Sequence, residues 1–201
     1  METRDLFLAS DAALRSVIDH LTPADLERAA PAAWSRSKAP TLRDILALHA
    51  RDEAWVPDVI AGKTIEEVGT RWDGDLLGDD PITAYAELNQ KAEEAALSEF
   101  LDVDAVTAHF SYGDYPLQEG FVHLTTYRAT QAWQIANLVG LDFALPDDVI
   151  DGMNEHIVPH IDEWRALGVF GEAKPVPDGA DRETVLLCTL GIWAPPAAPV
   201  A

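Results

Sequence analysis

The chain has 201 residues and a mass of 21.9 kDa, room for one domain or one domain with a short extension, and cramped for two independent cores. An apolar share of 48% and a charged share of 24% are those of a globular protein rather than a disordered one. Lys and Arg number 14 against 35 Asp and Glu; the net charge of −21 argues against nucleic acid and anionic membranes as partners, which need clustered cations. The single cysteine, Cys188, excludes an internal disulfide framework and any multi-cysteine metal site. No run approaches the roughly 18–20 apolar residues of a membrane span, and the acidic start METRDLF is no signal peptide, so a soluble, cytoplasmic protein is expected.

Helical periodicity dominates. Leu6, Leu14, Val17, Ile18 and Leu21 recur at helical spacing until Thr22-Pro23 stops the segment. A connection rich in Ala, Ser and Pro follows from Asp25 to Pro40. The second helix, TLRDILALHARDEAWV, opens with Thr41 as N-cap and Asp44 in its first turn, and Pro57 is expected to kink or end it. Residues 62–80 read as a glycine-rich acidic loop. Gly78-Asp79-Asp80-Pro81 then leads into a third helix over about 81–100, acidic on one side.

A turn-rich segment runs through Ser111-Tyr112-Gly113-Asp114-Tyr115-Pro116. The fourth helix spans about Leu117 to Leu138 and Gly140 stops it. Pro146 starts a fifth helix to about Leu167. The tail carries proline turns and one short apolar helix over Glu183 to Leu190. The expected organisation is a four-helix bundle over residues 1–144, with a C-terminal helix and arm over 145–201 packed on it as one structural domain.

Neither a phosphate-binding glycine loop nor a Gly-x-Ser-x-Gly elbow is present. His156 and His160 have metal-ligand spacing but no third ligand nearby, which reads as a surface or capping pair. On the fourth helix, Glu119 and His123 stand one turn apart, and His49 on the second helix could complete a divalent-metal site. Trp55, Tyr115, Phe121 and Trp133 read as core or pocket wall, and Cys188 as a small buried hydrophobe.

Several stretches carry a resemblance. TLRDILAL, YGDYP, AWQIANLVG and DEWRALGVFGEAKPVPDGADRETVLLCTLG together resemble the DinB-like superfamily. Within it, they resemble the proteins similar to the metal-binding domain of mycothiol-dependent maleylpyruvate isomerase. The resemblance implies an all-α, up-down-down-up four-helix bundle. It also implies a metal held by a histidine ending the second-helix run and by an acid-x-x-x-histidine or His-x-x-x-His pair on the fourth helix. Laid without gaps on this chain, those positions fall on Leu48, Tyr127 and Gln131, which do not make a zinc triad. His49 lies one residue off, about 100° around the helix, and Glu119 and His123 lie eight residues before the family pair.

The face that held the metal is still polar. His123, Tyr127, Gln131 and Gln134 follow at steps of four, four and three and share one stripe, while Leu48, Asp52 and Trp55 are expected to face it from the second helix. In the family topology Asp52 falls beside His123. The leading expectation is acid/base catalysis on a small organic molecule without the usual metal or any other cofactor: an isomerisation, cyclisation or elimination. His123 is the acid or base, Asp52 its orienter, and Tyr127 the hydroxyl one turn away. Gln131, Gln134, Trp55 and Trp133 bind the substrate. One alternative keeps zinc or another divalent metal on His49, Glu119 and His123, activating a low-molecular-weight thiol. Another is a non-catalytic small-ligand-binding protein; a filled, fully satisfied internal network accounts for the same residues. Neither nucleic acid nor membrane is expected as a partner, and a homodimer is possible.

Overall fold

The computed structural model describes residues 1–35 and 37–194, and these are mostly helical. In chain order they form α1 (Thr3–Ile18), α2 (Pro23–Leu26), a 3-10 turn (Ala32–Trp34), α3 (Leu42–Ile60), α4 (Ile65–Val68) and α5 (Pro81–Ala96). Next come β1 (Thr107–Phe110), β2 (Gly113–Pro116), α6 (Leu117–Val139), α7 (Asp147–His156), a second 3-10 turn (Val158–His160), α8 (Ile161–Ala166) and α9 (Arg182–Thr189). No helix among the described residues is long and apolar enough to cross a membrane.

Local chemistry sets the boundaries. Thr41 and Asp44 close a capping box on α3: the Thr41 hydroxyl accepts from Asp44 N at 3.3 Å and the Asp44 carboxylate accepts from Thr41 N at 2.7 Å. Asp80 caps α5 by accepting from Thr83 N, with Pro81 in the first turn. Pro57 does not end α3, which runs on to Ile60. α5 stops at Ala96, short of residue 100, and the 62–80 loop contains the helical turn α4. The turn-rich stretch is an antiparallel hairpin pairing His109 with Asp114 and Ala108 with Tyr115. The expected fifth helix is two short helices broken at Val158–His160, because Pro159 has no N–H to continue the ladder. His156 and His160 therefore do not share a helix face.

The chain divides into two compact units, one formed by Met1–Val17 with the chain from Phe121 onward, the other by Ile18–Gly120. The division cuts α1 and α6. In the first unit Leu6 of α1, Ala129 of α6, Val149 and Met153 of α7, and Leu186 and Leu187 of α9 share one apolar core. Leu186 and Leu187 of the tail are thus part of that core. Gly152 makes the approach of α7 to α1 possible, since a Cβ there would lie 2.6 Å from Leu6 Cδ1. Inside the same unit, Arg128 Nε donates to Asp11 Oδ1 at 2.9 Å, and Arg128 Nη1 donates to Leu124 O at 2.7 Å. Both side chains are buried, and the guanidinium lies over the Phe7 ring, 5.1 Å from its centroid.

In the second unit α3 packs along α5. The buried carboxylate of Asp58, near the end of α3, gathers the loop that follows. It accepts from Lys63 Nζ at 2.7 Å, Arg71 Nη1 at 3.1 Å and Trp72 Nε1 at 2.8 Å. Burial pushes the Asp58 pKa up, but the hydrogen bonds of Lys63 and Trp72 and the charges of Lys63 and Arg71 outweigh it, leaving the carboxyl below its ordinary range. A depressed folded-state pKa contributes stability above the unfolded carboxyl's pKa, about 3.9, which is lost as the pH falls through the lower folded value. Asp58→Asn is expected to cost about 1–3 kcal/mol near neutrality. It should also flatten the acid limb of stability against pH, measured by urea melts from pH 7 to pH 2.

Candidate functional site

The polar row of α6 lies in the first unit. α6 keeps polar side chains in the interior by returning several hydroxyls to its own backbone: Thr125 Oγ1 donates to Phe121 O at 2.8 Å, and Thr130 Oγ1 to Thr126 O at 3.0 Å. His123, at the same end, is half-buried and meets the Trp164 indole edge-on, with centroids 4.8 Å apart. Tyr127, one turn on, is also half-buried. Gln131 is 1% exposed and donates from Nε2 to Gln134 Oε1. Its Oε1 is buried and has no hydrogen-bond donor among the described residues. A buried amide oxygen left in that state costs about 1–3 kcal/mol unless something supplies a proton donor. Trp133 packs on the apolar core and donates to Glu183, whose carboxyl is raised by burial and also accepts from Leu145 N at 2.5 Å.

On α3 the inward face differs from the expected one. Leu48, expected to face the α6 row, is 38% exposed, and Asp52 and Trp55 are half-buried, while His49 and Glu53 are fully buried. The apolar series Leu42, Ile45, Leu46, Ala50 turns inward, and His49 and Glu53 belong to its face; Leu48 sits about 100° away. Glu53 Oε1 accepts from the Tyr85 hydroxyl of α5 at 3.4 Å, and Asn89 lies one turn beyond Tyr85, 1% exposed. Glu53, Tyr85 and Asn89 are polar members of this core that sequence reasoning missed. Their signal is the shared four-residue spacing: His49 with Glu53 on α3, and Tyr85 with Asn89 on α5.

Asp52 belongs to the Ile18–Gly120 unit and His123 to the other. Within its own unit Asp52 lies close enough to Tyr112 of the hairpin to act on that hydroxyl's ionisation. Tyr112 is pushed up to about 12, first by partial burial and then by Tyr115 and Asp52, although the residue as a whole is exposed. Across the hairpin His109 Nδ1 and Asp114 Oδ1 are 2.7 Å apart.

The metal alternative finds no matching donor set. His49 is fully buried, Glu119 is exposed in the first turn of α6, and His123 is half-buried. Among the described residues no three His, Cys, Asp or Glu side chains are placed to hold one ion. Cys188 is buried, its Sγ 3.6 Å from Pro175 O. Comparison of the chain with protein-family models, with curated proteins and with solved structures yields no match.

Proposed function

We propose that this chain is a divergent DinB-like protein with an up-down-down-up bundle, acting on a small organic molecule by acid/base catalysis. His123 serves as acid or base, and Tyr127 as the hydroxyl that polarises a substrate oxygen. The observation that supports this reading best is Gln131, whose fully buried Oε1 lacks a donor on the row that carries His123 and Tyr127. With Nε2 engaged by Gln134, Gln131 offers an acceptor, so it suits a substrate that brings an O–H or N–H group. A half-buried imidazole set edge-on against Trp164 is shielded from bulk water on one side, which favours proton transfer over simple hydration. Isomerisation, cyclisation and elimination each run on such transfers alone. Of the residues grouped in sequence as substrate-binding, Gln131 and Gln134 suit that role best. Trp133 carries a core and tail contact as well.

Deuterium exchange tests this reading. Wild-type protein in D2O is expected to introduce deuterium at the acidic C–H of at least one member of a panel of hydroxy- and oxo-acids, followed by proton NMR. His123→Ala should slow that exchange by about 10²–10⁴-fold. Gln131→Leu, nearly isosteric, should act mainly on KM. Exchange that survives His123→Ala unchanged would overturn the assignment. Saturable binding without exchange would favour the ligand-binding alternative. Elemental mass spectrometry of untagged protein supplies the other arm, because about one divalent ion per chain would overturn the metal-free reading in favour of a metal with a thiol co-substrate.

A further inference from the structure

We propose that Arg165 is a positioning residue for His123, clamping α8 to the end of α9 and so holding the Trp164 indole against the imidazole; the inference rests on the acid/base reading of His123. α8 is six residues long and Pro159 separates it from α7, so neither its own length nor a continuous helical ladder fixes where it lies. Its direction is set from outside. Ile161 and Trp164 pack against the apolar core of the unit, and Arg165 supplies polar ties. Arg165 Nη2 donates to Thr189 O at 2.5 Å, Nε to Gly171 O at 3.0 Å and Nη1 to Asp162 Oδ1 at 2.9 Å.

The three acceptors belong to different segments. Thr189 is the last residue of α9, where the final carbonyls lack an intrahelical donor and carry the negative end of the helix dipole. Gly171 lies in the connection between α8 and α9, and Asp162 in the first turn of α8 itself. A guanidinium can hold all three at once because its donors point in fixed, different directions, whereas a lysine ammonium is a single point. The Thr189 bond is the sheltered one; Asp162 is 93% exposed and its bond adds least. Trp164 precedes Arg165 in the chain, so anchoring the guanidinium also aims the indole, and Val169 N closes the helix by donating to Trp164 O at 2.9 Å. The indole then meets His123 with centroids 4.8 Å apart and planes at 68°. An imidazole that passes a proton has to keep its nitrogen on the reacting atom, and rotation about its side-chain bonds removes that alignment. A ring wall on one side narrows the rotation. Arg165 acts through Trp164 and takes no part in the proton transfer.

Proton NMR of the full chain tests the clamp without a substrate. The Cε1–H and Cδ2–H resonances of His123, assigned by their loss in His123→Ala, are expected to lie away from those of free histidine because of the indole ring current. Arg165→Leu should move them toward the free-histidine position, in the direction that Trp164→Leu moves them. Arg165→Lys, which keeps the charge but not the fork, should give an intermediate position. Arg182→Gln, which removes an exposed cation bonded to Asp151 in the same unit, should leave them unchanged. In the deuterium-exchange assay, Arg165→Leu should lower kcat by about 10–100-fold, with KM within about twofold of wild type. Unaltered resonances in folded Arg165→Leu would overturn the proposal, as would a shift of equal size in Arg182→Gln. Should Arg165→Leu fail to fold, wild-type resonances in Arg165→Lys overturn it in the same way. The acid/base reading fails separately: exchange that survives His123→Ala sinks that reading, while the resonance shifts still decide the clamp.

Discussion

Asp11→Ala is expected to lower the stability of the protein by about 3–5 kcal/mol, the cost of leaving a buried guanidinium without its carboxylate. Arg128 is 2% exposed and Asp11 is wholly buried, so water cannot replace the lost oxygen without opening the unit. What remains to Arg128 in this variant includes the Leu124 carbonyl and the Phe7 ring, and neither neutralises a charge. Asp11→Leu combined with Arg128→Met should recover much of the loss, because two apolar side chains of similar volume need no partner. Urea melts followed by the fluorescence of Trp133 and Trp164, which pack on the same unit's core, measure both effects. A cost below about 1 kcal/mol for Asp11→Ala would mean that the pair is hydrated, as exposed pairs are.

Gly191→Ala is expected to be nearly as damaging. Gly191 closes α9 in a left-handed turn (φ 75°): its N–H donates to Cys188 O and the next N–H, of Ile192, to Leu187 O, the double bond pattern of a Schellman cap. A side chain meets two penalties there. The left-handed conformation costs a residue with a Cβ about 1–3 kcal/mol. The added carbon would also lie 2.6 Å from Glu172 O and 2.8 Å from Gly171 C, backbone atoms that cannot rotate away. Overpacking of that kind adds about 1–3 kcal/mol. Gly179→Ala has a similar left-handed φ of 74° but no atom within 4 Å, so it isolates the conformational part. The difference between their urea midpoints should exceed the effect of Gly179→Ala itself.

The long helices were legible because their signals are local. Thr41 with Asp44, Asp80 with Pro81 and Gly140 each act within one turn, so the ends of α3, α5 and α6 could be read to within a few residues except where Pro57 is absorbed inside α3. The hairpin was not legible: strands of four residues are too short for alternation to rise above the turn residues around them. Nor was the Asp11–Arg128 pair, whose members are 117 residues apart in a chain with many acids. The face of α3 is the instructive case. A register taken from the family resemblance turned Leu48 and Asp52 inward, whereas the chain's own apolar series, Leu42, Ile45, Leu46 and Ala50, turns His49 and Glu53 inward. Local periodicity carried the better information about orientation. The polar row of α6 could be listed from spacing, but spacing could not reveal that Gln131 commits its amide nitrogen to Gln134 and leaves its oxygen buried and unmatched.

The chain path through the two units has a temporal side. Leu6 shares its core with Leu186, so one unit needs partners 180 positions apart, while the other is drawn wholly from residues 18–120. At a synthesis rate of about 5–20 residues per second, the first helix would wait roughly 9–36 s for the last strip of its core to be made. During that interval the continuous unit has all its own residues and the discontinuous one does not. Folding of the nascent chain is therefore expected to begin in the middle of the sequence, with the two ends closing last. The high sequence separation of those final contacts makes their closure the slow step.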